Sequence, residues 1–352
     1  MSIPQYTVDS EIDSFQADLS SNRNVHNNVK DIPEAAMVLS DTEEVIGYLE
    51  NLVDSLESGR YDEAVKYEYQ YQTKLLQDIE SGSVVGTSIL EQERTVAELE
   101  YLYDNDYLKS RETSAANLSL VQYLLFLFSS GIFPSLLVLV GAALLIAQLI
   151  TYDKRKNTNR LVNILPTKMS TITISKYSVS SLFSLISILL PITLVSIFML
   201  AKNGIGNTNY PVSRIVENSS IEIITASNFI IQNLVFIVLW VITITSISFL
   251  IYQFSGNLFL HTIVLLFFLL TSQLTVLENL LSEHFSILLG YLPSSYVDFQ
   301  TVVTGGKNYV FLPSSNINFM NGIISLLLTS TFFILVTTIV SLRRKKHTNA
   351  LF

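Results

Sequence analysis

Long apolar stretches without charge dominate the second part of the chain. The forty residues between Glu112 and Asp153 include no Asp, Glu, Lys or Arg, and the fifty-five between Glu222 and Glu278 include none either. A bilayer core of about 30 Å is crossed by about 20 apolar residues in a helix, whose backbone satisfies its own hydrogen bonds in lipid. The pattern predicts an all-α, polytopic membrane protein with five spans, at about 132–152, 177–201, 229–253, 258–277 and 320–342.

Two short segments refine this pattern. Phe254-Ser255-Gly256-Asn257 separates the third and fourth spans, and its turn-forming residues predict a tight helical hairpin. Leu120–Phe128 precedes the first span. We expect it to lie along the membrane interface before the chain turns in near Gly131 and Pro134.

Residues 1–118 show shorter, amphipathic periods instead. Apolar residues at i, i+4, i+7 and i+11 predict a first helix, with Asp41 as its N-cap and Glu44 completing a capping box. Two more such faces follow, with breaks at Ser58-Gly59 and Ser81-Gly82-Ser83, so we expect an antiparallel helical bundle over about 42–108. The first 35 or so residues have little pattern and are expected to be extended or mobile. The three apolar faces consist of Val45, Leu49, Leu52 and Leu56; Val65, Tyr69, Leu76 and Ile79; and Ile89, Val96, Leu99 and Tyr103.

Charge separates the same two regions. Residues 1–118 contain 24 Asp and Glu against 8 Lys and Arg, whereas the rest contains 6 against 13. This asymmetry predicts an acidic, water-facing helical domain over 1–118 and a transmembrane domain over 119–352. The chain has no cysteine, which excludes disulfides, thiolate metal sites and cysteine nucleophiles.

The distribution of basic residues predicts which way the helices point. Ten of the thirteen basic residues after position 118 lie in segments 153–176 and 343–346. Short basic loops stay in the cytoplasm, and an odd number of spans places both segments there. The acidic domain is then outside a bacterial plasma membrane, with the C-terminus in the cytoplasm. Because no leader precedes this domain, we expect a truncated or split gene product lacking a leading helix; alternatively, the first span translocates its own N-terminal tail.

A motif in the first basic loop resembles a known family. The segment DKRKNTNRLVNILP, from Asp153 to Pro166, and the lysine that opens the next span resemble the loop of ABC-2-type ABC transporter permeases, exporter membrane subunits of Gram-positive bacteria. Asp153 stands where that family has glutamate, and the family's N-terminal interfacial helix and first span are missing. Two further motifs resemble the family's exterior loops in the same order: Gly204, Gly206, Tyr210 and Pro211, then Pro293, Tyr296 and Gly305.

The resemblance implies a permease subunit of an ATP-driven exporter, whose substrate is a peptide, an antibiotic or a lipid. Its partners would be a separate cytoplasmic ABC ATPase subunit, which binds the ATP and Mg²⁺, a second permease copy or paralogue, and membrane lipids, with no nucleic acid. This chain would bind no cofactor and no metal. The alternative for the basic loop is simple anchoring to anionic lipid. The residues expected to couple to the ATPase are Asp153, Lys154, Arg155, Thr158, Arg160, Leu161, Pro166 and Lys176.

The sequence holds no nucleotide-binding or protease motif of its own. No G-x-x-x-x-G-K-[ST] phosphate loop occurs, and the absence of acids from the spans argues against metal-dependent and aspartyl intramembrane proteases. We therefore do not expect an enzyme. The alternative function is a membrane receptor or sensor that reads a ligand through the N-terminal domain. Polar residues in the spans are candidates for a pathway or for interhelical hydrogen bonds: Gln148, Asn233, His261 and Gln273.

Overall fold

The computed structural model describes residues 8–32, 35–84, 88–110, 117–129, 134–156, 158, 169–216, 220–271, 290–306 and 317–349. The chain divides into two units. The first comprises Met1–Leu125 and Met199–Phe229, and the second comprises Phe126–Phe198 and Ile230–Phe352. The first unit thus contains the predicted N-terminal domain together with a later segment that the sequence did not assign to it.

Four helices of the first unit pack one against the next in chain order. Short turns connect them, and Gly59 and Gly82 take positive φ angles of 73° and 77° just after two of the helices. Such angles are unstrained only for residues without a side chain, which explains where these helices end. The helices are α1 (Val8–Val29), α2 (Ala36–Glu57), α3 (Tyr61–Glu80) and α4 (Ile89–Asp104).

The apolar faces predicted for α2 and α4 have different outcomes. All four predicted residues of α2 are buried, and Leu49 and Leu52 are completely inaccessible. On α4, Ile89 and Tyr103 are exposed. Of the predicted face, Leu99 is buried, and the neighbouring Leu90 and Leu102 are buried in place of Ile89 and Tyr103. On α3, the two ends of the predicted face, Val65 and Ile79, are buried.

Two predictions for the first 41 residues are wrong. The segment expected to be extended forms the 22-residue helix α1, whose Phe15 and Leu19 join the core of α2 and α3. Two buried residues in an otherwise polar helix give a weak periodic signal, and tertiary packing supplies the rest. Helix α2 begins at Ala36, five residues before the predicted cap. Asp41 lies inside the helix, where its carboxylate pairs with Lys74 at 3.0 Å.

A buried tyrosine makes the stability of this bundle depend on pH. Tyr71 donates a hydrogen bond to Asp18 at 3.2 Å, and burial, followed by the charge of Asp18, raises the pKa of its phenol above the ordinary 10.0. The folded chain therefore holds this proton more tightly than the unfolded chain. The contribution of Tyr71 to the free energy of unfolding is fully present below pH 10 and is lost as the pH rises above it. We expect Tyr71→Phe to reduce the fall in urea midpoint between pH 9 and pH 11, whereas Tyr61→Phe, at an exposed position, leaves the fall unchanged.

A β-hairpin in the first unit departs from the all-α prediction. Strands β1 (Pro211–Ile215) and β2 (Ile221–Thr225) pair antiparallel, from Pro211↔Thr225 to Ile215↔Ile221, and both contact α4. β-Branched residues are frequent in these strands, as strands favour. The predicted spans 177–201 and 229–253 leave residues 202–228 as a connecting loop, in which no strand was expected.

The second unit consists of long apolar helices. Helix α5 (Leu120–Ser129) runs from the first unit into the second, and the placement of this segment along the membrane interface stays a prediction. Helices α6 (Ser135–Arg155), α7 (Met169–Asn203), α8 (Ala226–Phe254) and α9 (Leu258–Leu270) follow. After them come a 3₁₀ turn (Pro293–Tyr296), α10 (Phe299–Val303) and α11 (Phe319–Asn349).

Four of these helices are long and apolar enough to cross a membrane: Ser135–Arg155, Thr171–Asn203, Ala226–Phe254 and Phe319–Ser341. The chain is therefore mostly helical and has the character of a polytopic membrane protein. The remaining predicted span, the fourth in chain order at 258–277, is described only as the 13-residue α9. Its last residues, 272–277, lie outside the described residues, so this span stays a prediction.

Helix α8 is the core of the second unit. Within its most apolar stretch 61% of the residues are buried, against 11% for α7. Buried hydroxyls on α8 bond to α7, since Tyr177 Oη lies 2.9 Å from Ser246 Oγ and Ser181 Oγ donates to Thr245 Oγ1 at 3.2 Å. Hydroxyls of this kind hold helices together where lipid supplies no hydrophobic driving force.

Candidate functional site

Part of the predicted loop motif comes together at the end of α6. Asp153, in the last turn of that helix, forms an ion pair with Lys176 of α7, and both side chains are largely buried, at 19% and 24% exposed. The backbone N–H of Thr158 donates to the carbonyl of Asp153 at 3.0 Å. This bond satisfies one of the carbonyls that a helix end leaves open. The spacing of Asp153, Thr158 and Lys176 therefore closes α6 and ties it to α7.

A tyrosine that the sequence analysis did not single out completes this arrangement. Tyr252 lies in the last turn of α8, and the ammonium of Lys154 lies 4.0 Å from the centroid of its ring while donating to its backbone carbonyl. The ammonium of Lys176 lies 5.1 Å from the same centroid and 3.4 Å from the hydroxyl. Cation–π contacts of this kind strengthen when water is excluded. The only available signal was an aromatic residue next to a predicted hairpin turn.

Gly256 lets Lys154 approach the turn between α8 and α9. A Cβ at this position would lie 2.8 Å from Cβ of Lys154 and closer still to its Cδ, so a side chain there would force the lysine away. The next residue, Asn257, caps α9 by accepting a bond from the N–H of Phe259 at 2.9 Å. The break predicted at 254–257 is confirmed. We call Asp153, Lys154, Thr158, Lys176, Tyr252 and Gly256 the loop cluster.

The remaining residues of the predicted loop do not all join the cluster. Arg155 folds back along its own helix, where its guanidinium donates to Thr151 Oγ1 at 3.2 Å and to the carbonyl of Gln148 at 3.1 Å. The side chain of Gln148 itself is exposed. Arg160, Leu161 and Pro166 lie outside the described residues.

The first motif predicted for the exterior lies where two chain segments cross within the first unit. Gly204 and Gly206 take positive φ angles of 76° and 81°. The carbonyls of Gly204 and Ile205 accept bonds from Leu120 and Val121, both at 3.0 Å, and so cap the start of α5. A Cβ on Gly206 would collide with Ser119. Gly206 is therefore needed for the close crossing of two chain segments, whereas Gly204 is needed for its positive φ angle alone.

Tyr210 and Pro211 follow this crossing and connect it to the helical bundle and to β1. The ring of Tyr210 packs against Val65, Leu99 and Leu102 of the bundle, and its hydroxyl accepts a bond from the N–H of Ser110 at 3.5 Å. Burial raises the pKa of its phenol. Pro211, also buried, begins β1. In the structure these motif residues hold the hairpin onto the helices.

The second motif predicted for the exterior forms a buried turn inside the second unit. Pro293 begins the 3₁₀ turn, and Tyr296, at its end, is completely buried. The hydroxyl of Tyr296 donates to the carbonyl of Gly290. The Tyr296 carbonyl accepts a bond from the indole N–H of Trp240 at 2.9 Å. A Cβ on Gly322 would lie 2.7 Å from the rings of Tyr296 and Phe236, so the 3₁₀ turn sits close against α11.

The polar residues predicted in the spans have different environments. His261 of α9 is completely buried, and its Nε2 lies 2.7 Å from the carbonyl oxygen of Ser248 and 2.8 Å from its hydroxyl. This bond joins the two helices of the hairpin. Asn233 is completely buried on α8, and Gln273 lies outside the described residues. Across the described part of the chain, no group of three or more His, Asp or Glu could hold a metal ion.

Comparison with known proteins gives no identification. No protein family, curated protein or solved structure matches this chain.

Proposed function

We propose that this chain is the membrane-spanning permease subunit of an ATP-driven exporter of the ABC-2 type. The observation that carries the proposal is the loop cluster, in which the motif residues Thr158 and Lys176 both contact Asp153, and Lys176 lies 23 residues further along the chain. Residues that resemble a family motif and also interact physically give stronger support than spacing alone. Export would move an unidentified substrate (peptide, antibiotic or lipid) outward.

The loop cluster would pass movement from an ATPase to the spans. Asp153 belongs to α6, Lys176 to α7 and Tyr252 to α8, so a displacement of the loop reaches three helices at once. Small shifts at such a junction are amplified when packed helices have two discrete arrangements. ATP and Mg²⁺ would be bound by the separate ATPase subunit, and a second permease copy or paralogue would complete the transporter.

A reversal of the Asp153–Lys176 pair tests this mechanism. We expect Asp153→Lys and Lys176→Asp each to lower substrate-stimulated ATP hydrolysis by the purified complex by about tenfold, because a partly buried pair becomes a like-charge contact. The double reversal should recover part of the activity, because it restores the ion pair but not the contact of Lys176 with the Tyr252 ring. Lys202→Gln, which removes a positive charge from the far end of α7, serves as the control.

Two outcomes would count against the proposal. Recovery of the chain without any ATPase would favour the sensor alternative. A double reversal as inactive as the single variants would show that the pair does not act through its geometry.

The proposal also places the N-terminal bundle outside the cell and the loop cluster in the cytoplasm. Because the chain has no cysteine, Glu43→Cys and Lys156→Cys each introduce a single thiol at an exposed position. We expect a membrane-impermeant maleimide to label Glu43→Cys in intact cells, and Lys156→Cys only after lysis. The reverse pattern would overturn the orientation.

A further inference from the structure

A groove in the first unit lies between α3, α4 and the beginning of β2. Its volume is about 300 Å³, at the lower end of the range for ligand pockets and suited to two or three residues of a bound chain. Leu76, Val96, Ala97 and Ile221 provide an apolar floor, and the carboxylates of Glu93 and Glu100 line it as well.

These two carboxylates lie on one face of α4. Glu93 and Glu100 are seven residues apart, which is about two helical turns or roughly 10 Å. Other acids nearby are engaged: Glu91 pairs with Arg94 at 3.4 Å, and Glu98 accepts from the N–H of Ser213 at 2.9 Å. Within the described ranges, neither Glu93 nor Glu100 has a Lys or Arg partner, and Glu100 accepts a hydrogen bond from the hydroxyl of Tyr69. The groove therefore combines an apolar floor with two carboxylates that lack a counter-charge.

One edge of the adjacent hairpin faces no other strand. The N–H of Val216 donates to the carbonyl of Ser220 at 2.9 Å, and the N–H of Ala226 donates to the carbonyl of Tyr210 at 2.8 Å. These two bonds show which residue pairs of the hairpin are hydrogen-bonded across the strands and which are not. Backbone groups of Ile221 and Ile223 consequently point away from β1. The N–H of Ser213, on the opposite edge, is already bonded to Glu98. In the part of the sheet that the structure describes, β2 has no second neighbour.

We propose that this groove binds an extended peptide segment with basic residues at alternate positions. The peptide backbone would pair with the free edge of β2, a recognition mode in which main-chain bonds give affinity and side-chain pockets give specificity. Basic side chains on one face would lay their aliphatic stems on the apolar floor and reach Glu93 and Glu100. The surplus of acids in residues 1–118, 24 against 8 basic residues, attracts such a ligand. The inference holds independently of the permease assignment.

Fluorescence polarisation on the full chain in detergent tests this inference. The probe is a labelled hexapeptide of alternating lysine and valine, with its signal from empty micelles subtracted. We expect the Glu93→Gln/Glu100→Gln variant to bind it about tenfold more weakly, the loss of two surface ion pairs. The matched control is Asp31→Asn/Glu43→Gln, which removes the same charge from exposed positions away from the groove and should bind within about twofold of the parent.

A second probe tests the backbone pairing. The same hexapeptide with N-methyl groups on alternate amides keeps every charge but loses the donors that a β-edge needs. We expect it to bind at least about fivefold more weakly. If the two double variants bound the peptide equally weakly, the attraction would come from the overall charge of the chain and not from the groove, and the proposed site would be overturned. Undiminished binding of the methylated peptide would overturn the edge pairing and with it the proposal.

Discussion

Replacing Tyr296 by alanine is expected to destabilise the second unit by about 3–5 kcal/mol, as for other fully buried aromatic residues. The ring is completely inaccessible and stacks on Phe236 with centroids 6.3 Å apart, and Phe236 in turn stacks on Phe299 at 6.0 Å. Removing the ring leaves a cavity beside Gly322 and takes the donor away from the carbonyl of Gly290. The measurement is the midpoint of unfolding of the detergent-solubilised chain in sodium dodecyl sulfate.

The chain provides a matched control for this substitution. Tyr291 lies five residues earlier and is 65% exposed. Its contact with α11 is made by its backbone carbonyl, which accepts from Ser325 Oγ at 2.8 Å. We therefore expect Tyr291→Ala to change stability by less than about 0.5 kcal/mol. Equal midpoints for the two variants would mean that the 3₁₀ turn is not the anchor that the geometry describes.

In the bundle, Leu52→Ala is expected to cost about 2–5 kcal/mol. Leu52 is completely inaccessible at the centre of the core formed by α1, α2 and α3. Deleting its side chain removes apolar burial and leaves a cavity that helices held on both sides close only partly. The effect can be measured locally as faster hydrogen exchange of amides in α2 and α3. Met37→Ala, on the same helix at a position 79% exposed, should leave exchange unchanged.

The elements with a strong local pattern were predicted correctly from the sequence, and those with a weak pattern were missed. Charge-free windows located four long apolar helices, and Ser255-Gly256-Asn257 located the break between α8 and α9. Both signals are set by residues close together in the chain. Helix α1 was missed because only two of its residues are buried, so its helical pattern is weak. The β-hairpin was missed because strands of five residues were hidden in a loop between apolar segments.

The candidate sites depend on contacts between distant segments, which local sequence patterns do not predict. The sequence motif named Thr158 and Lys176, which both contact Asp153 in the structure. It gave no indication that two ammonium groups lie near the ring of Tyr252. That contact depends on how α8 packs beside α6 and α7. The groove was likewise invisible, because α3, α4 and β2 supply its walls from segments up to about 145 residues apart in the chain. Tertiary packing alone brings such residues together.

The indole bond to the 3₁₀ turn gives this protein a built-in optical reporter. Trp240 is its only tryptophan, is completely inaccessible, and donates its ring N–H to the Tyr296 carbonyl. Its tryptophan fluorescence therefore originates from one point beside that turn, with no engineered label. A movement that separates the turn from α8 would hydrate the indole and shift its emission to longer wavelength, so rearrangement of the helical interior can be followed in real time.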